Sequence, residues 1–162
     1  MNTSGVVLVA KNPYGQSILM KEMQKNKVAK KYFALVEGYP KNEEGTIDKP
    51  IDLEEGERII RTVSNSGNYC ITKYIVKEKL KNNISLIELK LETGRTHQIR
   101  VHMAHIGHPV LGDELYGSKS KLINRQALHC GEISFQSTRN HEFISVKAPL
   151  HKDFEKVLEE NR

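Results

Sequence analysis

The sequence predicts a strand-dominated α+β domain, with helices laid against a mainly antiparallel, mixed sheet. Three observations point there. Two alternating runs, 69–78 and 84–91, flank a Lys81-Asn82-Asn83 turn and form an antiparallel hairpin. Further strand-like runs stand on both sides of it, at 30–38, 127–135 and 142–147. Helical spacing is confined to three short segments, about 16–25, the stretch after Thr96, and 152–160. With no internal repeat, linker or low-complexity tract, residues 1–162 are expected to be a single domain with a sizeable core.

Each element follows from its local pattern. Gly5-Val6-Val7-Leu8-Val9-Ala10 is a continuous apolar run, expected as a buried strand. Pro13 follows it, and Ile18, Leu19 and Met23 mark the apolar stripe of the first helix. Gly38 and Pro40 stop the 30–38 strand. Short strands are expected near 46–51 and 59–63. Within 69–78, Cys70, Thr72, Tyr74 and Val76 share one side and Ile71 and Ile75 the other. Thr93-Gly94-Arg95 leads into the second helix, with Thr96 as its cap, Ile99, Met103 and Ile106 inward, and Gly107 at its end. A loop rich in glycine and charge spans 108–124. The last helix turns Phe154, Val157 and Leu158 inward.

Composition narrows the function. No apolar stretch reaches membrane-spanning length, and the N-terminus carries no secretory signal pattern, so no membrane partner and a cytoplasmic location are expected. Cys70 and Cys130 fit no metal or redox spacing and read as buried free thiols. Net charge is +5 but uneven. Between Asn42 and Glu57 stand seven acids and one base, Lys49, leaving 24 of the 25 basic side chains elsewhere. A body that basic suits a polyanion, although a solvated lysine surface would look the same.

The densest chemistry lies in Leu91–His108, which holds four of the seven histidines. His102, His105 and His108 are three apart, but Gly107 ends the helix and no HExxH pattern is present, so no metal is expected. Arg95, Thr96, His97 and Gln98 crowd a strand-to-helix turn, a setting that suits a phosphate or carboxylate. Tyr32 lies in an otherwise apolar strand. It is either a core tyrosine with its hydroxyl at the sheet edge or a ring placed to stack on a base. Tyr116 has the same two readings.

Three stretches together resemble the RluA-type RNA pseudouridine synthases. They are Lys30-x-Tyr32-x-Ala34-x-Val36-x-Gly38, Leu91-x-Thr93-Gly94-Arg95-Thr96-His97-Gln98-Ile99-Arg100-Val101-His102, and Gly107-His108-Pro109-Val110-Leu111-Gly112-Asp113-x-x-Tyr116-Gly117. Ala148-Pro149-Leu150 also fits the family pattern, so the resemblance runs along the whole chain. It implies the pseudouridine synthase catalytic-domain fold, conversion of uridine to pseudouridine in ribosomal or transfer RNA, and no cofactor or metal. By the same resemblance Tyr32 packs on the flipped uracil and takes part in proton transfer. Arg95 pairs with the family's catalytic Asp. Leu91 and Ile99 wall the pocket, and Thr3, Thr96, His97, Gln98, Arg100, His102 and Tyr116 serve the RNA. The family's first motif, His-Arg-Leu-Asp-x-x-Thr-Ser-Gly, is matched only as Met1-Asn2-Thr3-Ser4-Gly5, so its Asp would stand immediately before Met1. The expectation is therefore a partial catalytic domain lacking its N-terminal strands. It should be inactive alone and self-associate through the exposed sheet edge. A noncatalytic RNA-binding fragment, or half of a split enzyme, is the alternative.

Overall fold

The computed structural model describes residues 2–137, 139–140 and 142–162, so Met1 of the first motif lies outside them. The strands are β1 (Ser4–Gly5), β2 (Ala29–Glu37), β3 (Glu44–Asp48), β4 (Ile51–Leu53), β5 (Arg61–Val63), β6 (Ile71–Leu80), β7 (Ile84–Leu91), β8 (Leu128–Gln136) and β9 (Phe143–Lys147). The helices are α1 (Pro13–Gln24), α2 (Gln98–His105) and α3 (Lys152–Glu160). Among the described residues, seven strands form one sheet in the order β1-β8-β2-β7-β6-β3, with β9 beside the far end of β8. Only β1 and β8 run parallel; the other pairs in this sheet are antiparallel. β4 and β5 form a separate small hairpin, whose exposed tip carries Glu54, Glu55 and Glu57.

The central hairpin forms as its alternation predicts. β6 and β7 pair from Thr72↔Leu91 to Leu80↔Ile84, and Asn82 and Asn83 supply the left-handed backbone of the turn (φ 56° and 57°). Thr72, Tyr74 and Leu80 face the core, whereas Ile75 is 39% exposed. Tyr74 and Leu80 belong to one core cluster with Leu35, Val36, Ile87, Leu89 and Ala127, Met103 of α2, and Phe154, Val157 and Leu158 of α3. Asn161 locks α3 to the hairpin by accepting from Lys81 N–H (2.7 Å) and from Asn82 Nδ2 (2.8 Å). Both cysteines are free and buried.

Two expectations fail. The run 5–10 is not a buried strand. Only Ser4 and Gly5 join the ladder, and Val7 and Val9 are 75% and 73% exposed. β1 lies at the sheet edge, where no strand among the described residues pairs with its outer side, and an apolar run without a ladder partner does not hold strand form. Gly5 has φ +109°, and a Cβ there would lie 2.1 Å from the Cys130 carbonyl, so the approach of β1 to β8 requires glycine. α1 begins at Pro13 rather than Gln16, because Asn12 caps it by accepting from Gly15 N–H at 2.8 Å.

Candidate active site

The motif around Arg95 is held by a buried chain of hydrogen bonds that starts in α2. His102 is fully buried, and its Nε2 lies 2.9 Å from the Lys49 carbonyl. A carbonyl only accepts, so Nε2 carries the proton and Nδ1 accepts from Thr72 Oγ1 at 2.8 Å. Thr72 in turn accepts from Gln98 Nε2 (3.0 Å), which also donates to the Ile71 carbonyl (2.9 Å). Gln98 Oε1 accepts from Thr93 Oγ1 (2.9 Å) and from Arg95 N–H (3.0 Å). Every hydrogen-bonding atom of a side chain 2% exposed is thus used in fixing the 93–95 turn to β6.

The same bonds correct two expectations. Thr96 is not the cap of α2; His97 takes that place, in left-handed backbone (φ 58°) and without a side-chain capping bond. The amide of Arg95 is engaged by Gln98, so the turn does not offer it to an anion. Ile99, at 4% exposure, belongs to the core rather than to a pocket wall, and Gln98 and His102 stand behind the wall as supports. Burial lowers the pKa of His102 below the ordinary 6.5, which keeps the ring neutral.

Arg95 itself is exposed and has no carboxylate within ion-pair distance among the described residues. Its guanidinium lies beside the Cys70 thiol, which burial pushes up in pKa and the Arg95 charge pulls back. Tyr32 stands on β2, level with Leu89 of β7 and Cys130 of β8. Burial raises its hydroxyl pKa well above the usual tyrosine value, with Cys130 adding to the shift, so the phenol is protonated at neutral pH. Tyr32, Leu91 and Arg95 line one groove of about 920 Å3. Lys30, Lys31, Lys73 and Lys90 line it too, with Glu92 and Glu132.

A second cluster forms apart from the groove. Arg100 grips the buried Asp113 through Nε (2.5 Å) and Nη2 (2.7 Å), and stacks 4.7 Å above the Tyr116 ring. The Tyr116 hydroxyl accepts from Arg61 N–H (3.1 Å) and lies 2.8 Å from His97 Nδ1. Burial and the Arg100 charge lower the pKa of His97. This cluster ties α2 to β5 and to the 3-10 turn at Glu114–Tyr116. Thr3 does not line the groove; it accepts from Gln126 Nε2 at 3.4 Å, and Gln126 and the neighbouring Asn2 line the same hollow as Arg100 and Asp113.

Sequence reasoning missed Arg125 and Asp153. Arg125 donates to both Asp153 oxygens (2.6 and 2.7 Å), to the Asn2 carbonyl (3.1 Å) and to Ser4 Oγ (3.2 Å), joining α3 to the N-terminal segment. The two residues are 28 apart, and no sequence pattern links them. The histidines splay: His102 points inward, His105 is exposed, and His108 Nδ1 lies 2.9 Å from the Glu37 carbonyl. Among the described residues no three His, Cys, Asp or Glu side chains come together as a metal would need. No helix among them is long and apolar enough to cross a membrane.

One groove thus carries an aromatic ring, a guanidinium with no carboxylate partner among the described residues, and several lysines beside two glutamates. The family model described as RNA pseudouridylate synthase matches residues 1–105. The chain is 40% identical over 162 residues to the uncharacterized RNA pseudouridine synthase YlyB of Bacillus subtilis, covering 99% of this chain and 53% of that protein. It is 37% identical over 172 residues to ribosomal large subunit pseudouridine synthase D of Haemophilus ducreyi, covering 98% and 52% respectively. Human RNA Pseudouridylate Synthase Domain Containing 1 superposes with a TM-score of 0.76 at 28% identity, over 87% of this chain and 62% of that structure. The chain therefore belongs to the RNA pseudouridylate synthase family. It spans about half the length of the curated relatives it matches.

Proposed function

We propose that the groove holds a uridine extruded from RNA and that the protein isomerises it to pseudouridine. The observation behind this reading is the convergence of Tyr32, Leu91 and Arg95, from separate segments, on one groove. The reaction breaks the bond from the sugar to the base nitrogen and forms one from the sugar to carbon, so atoms are conserved and no redox partner is required. Tyr32, neutral and half-buried, stacks on the uracil and lends its hydroxyl to proton transfer. Leu91 supplies an apolar wall. Arg95 holds a carboxylate ionised beside the sugar. The resemblance assigns that carboxylate to an Asp just ahead of Met1, and the first Asp within the 162 residues is Asp48. Gln98, Thr72 and His102 set the turn that presents Arg95. Relatives named for the large ribosomal subunit make its RNA the first substrate to test.

Pseudouridine formation on a large-subunit RNA transcript tests this. With His-Arg-Leu-Asp added ahead of Met1, Tyr32→Phe and Arg95→Ala should each cut turnover roughly 100-fold or more, with unchanged circular dichroism. Turnover equal to the unaltered protein would contradict the assignment. The 162 residues alone should give no product. Turnover by them would overturn the need for the upstream carboxylate.

A further inference from the structure

We infer that Lys31, Lys90 and Lys73 form a phosphate track that guides the RNA strand away from the uridine pocket. This rests on the reading of the groove as a uridine site. The three lysines are in register across adjacent strands, Lys31↔Lys90 between β2 and β7, and Lys90↔Lys73 between β7 and β6. Like charges directly opposite one another destabilise a sheet, so the row does not serve the fold. Its flanks are balanced: Lys31 pairs with Glu132 at 3.3 Å and Lys73 with Glu92 at 2.5 Å. The central Lys90 is exposed, with a lysine on either side and no acid partner among the described residues.

The row also has the right place. Along each strand these lysines alternate with Tyr32, Leu89 and Thr72, and so project from the opposite face of the sheet. All three nevertheless line the groove that contains Tyr32 and Arg95. The groove therefore crosses the end of the sheet, from the pocket on one face to the cations on the other. With neighbouring strands about 5 Å apart, the row spans about 10 Å. A phosphodiester backbone leaving the pocket meets it at once, and a single-stranded RNA has the negative charge that Lys90 lacks within the protein.

The test is binding of a uridine-containing single-stranded 20-mer RNA to the chain across a salt series. Lys90→Gln should weaken binding about threefold at low salt and flatten the log K against log salt slope by about 0.7, the loss of one phosphate contact. Lys79→Gln, on β6 but outside the groove, should change neither. An unchanged slope for Lys90→Gln overturns the track, as does equal flattening by Lys79→Gln. Failure of the unaltered chain to bind the RNA would instead overturn the uridine-site reading on which the track depends.

Discussion

His102 shows how a residue from a polar motif becomes a support. Its ring is sealed between Thr72 and the Lys49 carbonyl, so protonation would add a donor where Thr72 already donates. The folded state resists the proton that the unfolded state accepts near pH 6.5. Stability from this group is therefore present above about pH 6.5 and is lost as pH falls toward the depressed folded value. In an NMR titration the His102 midpoint should fall below that of an ordinary histidine, with Nε2 carrying the proton of the neutral ring. A midpoint at the ordinary 6.5 would contradict this environment. The crowding of polar residues at 93–102 was legible in the sequence, but which of them face inward was not. Burial of Gln98 and His102 depends on Thr72, contributed by a strand more than twenty residues away.

At the scale of elements, periodicity told most. The β6–β7 hairpin and α3 were legible because alternation and an amphipathic stripe are local signals. The run 5–10 misled because an apolar segment becomes a strand only where a neighbour pairs with it, and β1 has β8 alone. Arg125 holds Asn2 and Ser4, just ahead of that run, and its two bonds to Asp153 anchor α3 as well. The Arg125 guanidinium and His151 hold the Asp153 carboxyl well below the usual carboxylate range. A depressed carboxylate contributes stability above its unfolded value, near pH 4, and loses it as pH falls toward the folded value. Asp153 is partly solvated, which tempers the effect. Asp153→Asn should lower the melting temperature at pH 7 and reduce its fall between pH 5 and pH 3. Equal losses for mutant and parent across that range would show that the pair does not carry this acid dependence.

For the whole molecule, the pocket and the edge make separate demands. The overall α+β architecture was legible from strand order and composition. The groove was not, because it arises from the register of β2 on β7 and from the path of the chain over the sheet end. Val7 and Val9 leave apolar surface along the β1 edge. We expect the 162-residue chain to self-associate there, with an apparent mass that rises with concentration in light scattering. Val7→Lys with Val9→Lys should suppress that rise. A constant monomer mass for the unaltered chain would contradict the expectation.

The central claim is that uridine enters the groove of Tyr32, Leu91 and Arg95 rather than the polar hollow lined by Arg100, Asp113 and Asn124. NMR shift mapping of the chain during titration with a uridine-containing single-stranded RNA tests it most directly. The largest changes should fall on Tyr32, Leu91 and the Arg95 side chain, with little movement at Asp113 or Asn124. Changes centred on Arg100, Asp113 and Asn124, with Tyr32 and Arg95 unmoved, would contradict it.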